Sequence, residues 1–134
     1  MFAFVAKVNE RGSWVQRISW SNEEGLGELY RTIGCELVEI AGTGELRGIP
    51  VILWVDEEGL YREPVLMNLA ACDLLAEATN SAPAYALGGG LVGHAVLLFN
   101  KGSDHRGFTA EEADKIDALL LHGGYSLTGR PAVA

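Results

Sequence analysis

Polar and apolar residues follow two kinds of pattern along this chain, and each kind predicts a different element. In residues 13–20 the apolar side chains of Trp14, Ile18 and Trp20 share one parity, which is typical of a half-buried antiparallel strand. A turn-forming tetrapeptide separates this segment from the apolar residues 1–8. The two segments are therefore predicted to pair as neighbouring strands.

Apolar residues at helical spacing predict three helices, over 22–33, 67–78 and 110–122. The first and third are each introduced by a capping box, at 21–24 and at 109–112, in which a hydroxyl and a carboxylate satisfy free amides reciprocally. Glycines follow the first and third segments and are natural helix ends.

An apolar run that stops at three carboxylates and a glycine is the most informative stretch of the chain. We predict a β-hairpin here, with strands at 49–55 and 60–62. Its charged tip would consist of Asp56, Glu57 and Glu58, and the glycine that follows would adopt a positive φ.

Residues 35–40 and 91–99 predict two further strands, and glycine-rich loops are predicted at 41–48 and 79–90. Apolar residues on both parities of 91–99 indicate a central strand covered on two faces. Together these elements predict a single α+β domain spanning the whole chain. It would have a mainly antiparallel or mixed sheet of five to six strands, with two to three helices largely on one face. The tail at 125–134 is predicted to be mobile.

The charge of the chain limits its partners. Its 134 residues contain 10 Lys plus Arg against 18 Asp plus Glu, a formal net charge of −8. Broad contact with a nucleic-acid backbone or an anionic membrane needs clustered positive charge, so we predict neither. The charge allows a basic protein partner or mimicry of nucleic acid, or it serves solubility alone.

Two cysteines, Cys35 and Cys72, lie in apolar segments and are predicted to be buried, reduced thiols. The sequence contains no Cys-x-x-Cys pair, so no structural zinc site is expected and no cofactor is predicted. The apolar start at residues 1–6 is too short for a signal peptide. We therefore expect a cytoplasmic protein.

Four segments of the chain together resemble a known family. They are residues 33–39, 56–59, 64–70 and 91–98. The combination resembles an uncharacterised family of small proteins encoded by bacteriophages, plasmids and their bacterial hosts, over about residues 30–118. That family has no established activity, so the resemblance implies a cytosolic accessory protein of phage origin and assigns no catalytic residue.

The predicted hairpin supplies four candidate binding residues. Asp56, Glu57 and Glu58 carry ligands suited to hard cations, but three adjacent side chains at a tip point in different directions. We therefore predict no metal site and interpret the three as a solvated acidic patch that a partner can contact. Trp54, with the other tryptophans, either fills the core or anchors a partner.

Two further candidates are Asn68, which is placed to cap a helix or offer a polar group, and His94, which lies among apolar residues of a strand. The adjacent Asp104 and His105, with Ser103 nearby, do not make a catalytic triad, because no nucleophile elbow is present. We predict no catalytic residue.

These observations favour a non-enzymatic accessory binding protein that modulates a host protein, including a defence or nucleic-acid enzyme. The alternative is a small-molecule or nucleotide-binding protein or a weak hydrolase, with a site between the sheet and the loops at 41–48 and 82–90. Its candidate residues are Asn68, His94, His105 and Arg106. We also expect a homodimer, because an apolar first strand at a sheet edge would pair with a second copy.

Overall fold

The structure is a computed structural model that describes residues 1–102 and 104–122, so the predicted mobile tail lies outside the described residues. In chain order the strands and α-helices are β1 (Phe2–Asn9), β2 (Gly12–Ser19), α1 (Leu26–Ile33), β3 (Val38–Leu46), β4 (Ile49–Asp56), α2 (Leu69–Thr79), β5 (Ala95–Asn100), β6 (His105–Arg106) and α3 (Ala110–His122). Short 3₁₀ helices follow β4 and α2, at Gly59–Tyr61 and Ala84–Leu87.

Within the described residues, six strands form one sheet in the order β2-β1-β5-β4-β3, with β6 also paired to β5. Every one of these strand pairs is antiparallel. The α+β fold class is therefore confirmed. The central position predicted for the apolar segment at 91–99 is also confirmed, because β5 lies between β1 and β4.

Each face of the sheet carries its own hydrophobic cluster. Ala95 and Leu97 of β5 belong to the cluster that α2 and α3 cover, whereas Val96 and Leu98 belong to the one that α1 covers. All four side chains are buried. Two helices therefore share one face and the third lies on the other, as the period-two alternation of a strand covered on both sides allows.

The first strand is not at an edge of the sheet, which corrects one expectation. Val5 of β1 pairs with Gln16 of β2 on one side and with Val96 of β5 on the other. Both rows of backbone groups in the middle of β1 are therefore satisfied within the monomer. The homodimer stays a prediction, but this strand no longer supports it.

The predicted hairpin at 49–62 is wrong in its second half. The chain forms a 3₁₀ turn after β4 instead of a returning strand, and β4 pairs with β3 and β5. Gly59 does not have the predicted positive φ. It is needed for a different reason, since a Cβ there would lie 2.9 Å from the Val92 side chain.

The predicted loop at 41–48 is wrong over 41–46, because β3 continues to Leu46 with one register shift between Ile40 and Gly42, and only residues 47–48 form a turn. Two of the glycines that suggested a loop are needed where α2 crosses the strand. A Cβ on Gly42 would lie 2.7 Å from the Leu75 side chain, and one on Gly44 would lie 2.2 Å from the backbone of Ala78.

The two capping boxes have different outcomes. Thr109 and Glu112 form theirs, with hydrogen bonds of 2.9 and 3.2 Å, at the start of α3. The box at 21–24 does not form, because α1 begins only at Leu26 behind a glycine cap with no side-chain hydrogen bond. None of the helices in the described part of the chain combines the length and apolar character needed to cross a membrane.

Candidate functional site

The segment between β4 and α2, residues 57–67, presents large apolar side chains to solvent and is called the apolar loop here. Leu60 is 71% exposed and Tyr61 is 86% exposed, and Val65 and Met67 are exposed as well. Side chains of this kind normally lose water contact on folding, so their concentration in one short segment is typical of a binding surface.

The base of the apolar loop is fixed by a buried carboxylate. Asp56 accepts a hydrogen bond from the amide of Glu58 at 2.9 Å and forms an ion pair with Arg62. The amide of Glu57 donates to the Leu37 carbonyl at 3.0 Å. Hydrogen bonding to Asp56 raises the pKa of the Arg62 guanidinium, which keeps its charge throughout the ordinary pH range.

This arrangement changes the role of the predicted acidic patch. The carboxylate of Asp56 is buried and compensated by Arg62, because the chain turns back after β4 and brings the two side chains together. Glu57 and Glu58 remain exposed at the start of the apolar loop. The loop is therefore an apolar surface with an acidic margin.

Asn68 follows the apolar loop and is fully buried. Its side-chain oxygen accepts from the amide of Ala71, so it is the N-cap of α2. Its side-chain nitrogen donates to the carbonyls of Ala6 and Gly93, at 2.9 and 2.8 Å. One side chain thus ties the start of α2 to β1 and to the segment before β5.

A second candidate is a cleft of about 360 Å³ on the face of the sheet that α1 covers. Three parts of the chain meet there: the segment 20–26, the strands β3 and β4, and the turn between β5 and β6. Its main apolar side chains are Trp20, Leu26, Ile40, Ile52 and Trp54. Asp104 and His105 supply ionisable groups to the same cleft.

His105 packs edge-on against Trp54, with ring centroids 5.3 Å apart and an interplanar angle of 69°. Burial lowers the pKa of His105 although the neighbouring Asp104 opposes this shift, so the imidazole is neutral at pH 7. Asp104 itself is 68% exposed at its side chain and lies where its charge can reach the cleft.

The indole N–H of Trp54 is buried and has no hydrogen-bond acceptor among the described residues. Such a donor is costly, and water or a ligand oxygen would remove the cost. Trp14 has the same property, however, and lies outside the residues that line the cleft. The free indole N–H is therefore not by itself the mark of a site.

The structure separates the residues that sequence reasoning grouped as candidates. Trp54 and His105 meet in the cleft, whereas Asn68 and His94 lie at the junction of α2 and β5. Arg106 is paired with Glu112 and lies over a phenylalanine ring. The alternative site between the sheet and the two glycine-rich segments is not formed by its four candidate residues.

Two apolar members of the cleft, Leu26 and Ile40, were missed. Both remain exposed in the fold, at 43% and 51%. The sequence provides little indication of this role, because the apolar pattern places Leu26 on the buried face of a predicted helix and Ile40 in a predicted strand. Leu26 is the first residue of α1 and Ile40 lies next to the register shift in β3, and neither position was evident from the sequence pattern.

The two half-buried histidines, His94 and His105, predict a dependence of stability on pH. His94 accepts a hydrogen bond from the amide of Val8 at 3.3 Å, and burial and the charge of Lys7 lower its pKa, as burial lowers that of His105. Between the lowered pKa values of the folded state and the ordinary pKa of histidine, the unfolded chain therefore binds more protons than the folded chain. The free energy of unfolding should fall as pH falls below about 6.5, the ordinary pKa of histidine.

Urea unfolding between pH 7.5 and 5 measures this dependence, and the imidazole C–H signals in NMR report each folded pKa directly. The same signals recorded in concentrated urea give the unfolded reference. Folded pKa values of His94 and His105 at or above that reference would contradict the prediction.

No protein-family model, curated protein or solved structure matches this chain. Within residues 1–102 and 104–122, no three His, Cys, Asp or Glu side chains are grouped so that they could hold a metal ion. The apolar loop and the cleft are the two candidate sites on the part of the chain that the structure describes.

Proposed function

We propose that this chain is a non-enzymatic accessory protein that acts by binding another protein through its apolar loop. The sequence resemblance supports a phage or other mobile element as its source, with a host protein as the partner and the cytoplasm as the compartment. The exposure of Leu60 and Tyr61 in a segment with a fixed base is the observation that carries the proposal.

An anchored loop is suited to binding because less conformational freedom is lost when the partner arrives. Tyrosine is also among the side chains that most often dominate binding energy, since it buries a large ring while its hydroxyl remains able to bond. In the apolar loop Tyr61 and Leu60 are adjacent and exposed, which makes them the expected centre of the interface.

Charge indicates the kind of partner. Glu57, Glu58 and Glu63 are exposed within the apolar loop, and the whole chain carries a net charge of −8. The complementary surface is an apolar pocket with basic residues around it. Proteins that handle nucleic acid commonly present basic surfaces, which fits the proposed modulation of a defence or nucleic-acid enzyme.

Substituting both exposed residues, Leu60→Ser and Tyr61→Ser, should abolish capture of the partner from host lysate without unfolding the protein. Truncating a residue that dominates the binding energy of a protein interface costs about 2 kcal/mol or more. This corresponds to roughly a 30-fold loss of affinity for each of the two residues. Affinity purification with quantitative mass spectrometry measures the loss, and circular dichroism checks the fold.

The matched control is Leu121→Ser, because Leu121 is 66% exposed on α3 and is not part of the apolar loop. It should retain the partner at the wild-type level. Equal loss with both variants, or a partner that binds the double variant as well as the wild type, would show that the apolar loop is not the interface.

A further inference from the structure

The cleft beside Trp54 has the size and lining of a small-molecule site. Its volume of about 360 Å³ lies at the lower end of the roughly 300–1,000 Å³ that is usual for ligand pockets. Aromatic and branched apolar side chains make up most of the lining, and a few polar groups lie among them. This combination accommodates a ligand with one flat apolar part and one polar part.

The charges of the lining determine which polar part is accepted. Asp104 contributes a carboxylate, and His105 is neutral at pH 7 because burial lowers its pKa. No lysine or arginine is among the described residues that line the cleft. An anion would therefore meet a like charge without a compensating one, which disfavours the nucleotides that the sequence left open as ligands.

We infer that the cleft binds a small aromatic amine, with its ring against Trp54 and Ile40 and its ammonium group near the Asp104 carboxylate. A protonated amine gains from the carboxylate and from the acidic chain around it, and its ring covers apolar surface that is otherwise exposed at Leu26 and Ile40. The cleft involves none of the residues of the apolar loop, so this inference stands independently of the proposed function.

Tryptamine and indole-3-propionate are suitable probes, because they share an indole ring on a short chain and differ in the sign of the terminal charge. The three tryptophan indole N–H signals in a ¹⁵N-correlated NMR spectrum locate binding within the molecule. Trp20 and Trp54 line the cleft and Trp14 does not. At pH 7.5, tryptamine should shift the Trp20 and Trp54 signals saturably and leave that of Trp14 in place, whereas indole-3-propionate should need a several-fold higher concentration for the same shifts.

Asp104→Asn removes the charge while preserving the shape of the side chain. Because the carboxylate is largely exposed, we expect tryptamine to bind this variant about 2- to 5-fold more weakly, the range that a solvent-exposed ion pair supplies. Glu111→Gln is the matched control, since Glu111 is an exposed carboxylate on α3 and should leave the affinity unchanged.

Three results would overturn the inference. The first is the absence of any saturable shift at millimolar tryptamine. The second is equal binding of tryptamine and indole-3-propionate, which would show that Asp104 does not select the charge. The third is a Trp14 shift as large as that of Trp54, which would show general adhesion of indoles to the protein.

Discussion

Replacing Asn68 with alanine should lower the free energy of unfolding by about 3–4 kcal/mol, because two buried backbone groups and one half-buried group lose this partner at once. The amide of Ala71 loses its cap, and the carbonyls of Ala6 and Gly93 lose their donor. Water cannot easily reach the Ala71 amide and the Ala6 carbonyl to take the place of the side chain, since both contacts and Asn68 itself are buried. An unsatisfied buried group costs more than an average hydrogen bond contributes.

Asn68→Asp separates the two functions of the side chain. A carboxylate retains the acceptor for Ala71, but it replaces a donor with an oxygen that faces two carbonyl oxygens. The aspartate variant should therefore be no more stable than the alanine variant at pH 7, although aspartate is a good helix cap in water.

Urea unfolding measured at an unchanged m-value gives the free energies for these variants. Asn9→Ala is the control, since Asn9 is exposed and its side chain accepts a single hydrogen bond within a turn. The Asn9→Ala substitution should lower the free energy of unfolding by less than about 1 kcal/mol. A similarly small loss for Asn68→Ala would show that Asn68 does not connect α2 to the sheet as described.

The fold class was predictable because local pattern and final burial agree along most of the chain. The alternation in 13–20 became β2, and the doubly apolar segment at 91–99 contains the central strand β5. The helix predicted over 110–122 is α3, whose capping box forms as expected. In each case the residues that decide the element lie within it, so tertiary contacts did not have to be known.

The predictions that failed depend on contacts between distant residues. The carboxylates after β4 suggested a solvated tip, but Arg62 compensates Asp56 and the chain turns instead of returning as a strand. Glycines suggested a loop at 41–48, but Gly42 and Gly44 lie in a strand that α2 crosses, and a side chain at either position would overlap the helix. Composition alone does not distinguish a glycine that permits a turn from one that permits close packing.

The candidate sites show the same limit. The apolar loop is exposed because the predicted second hairpin strand does not form. The cleft brings together segments near residues 22, 40, 54 and 104. Trp54 was a candidate from its residue type, but nothing in the sequence paired it with His105. These two side chains, more than 50 positions apart, become neighbours through the pairing of β4 with β5 and of β5 with β6.

The second large effect is expected at Gly44, where alanine should destabilise the protein by about 3 kcal/mol, the upper part of the usual range for overpacking. A Cβ at this position would lie 2.2 Å from the carbonyl oxygen of Ala78 and 2.6 Å from its carbon. Both are backbone atoms of α2, so no rotamer change relieves the overlap and the helix must move away from β3.

Movement of α2 would loosen buried contacts along its length, because Ala70, Ala71 and Leu74 belong to the core on that face of the sheet.

Gly27→Ala is the matched control, with the same added methyl group in the first turn of α1. The nearest atom there is the tip of Arg31 at 3.8 Å, which is ordinary contact. Since alanine favours a helix over glycine by about 0.5–1 kcal/mol, the control should stabilise the protein. Thermal and urea unfolding of both variants measure the two changes, and a Gly44→Ala protein as stable as the wild type would mean that α2 does not lie this close to β3.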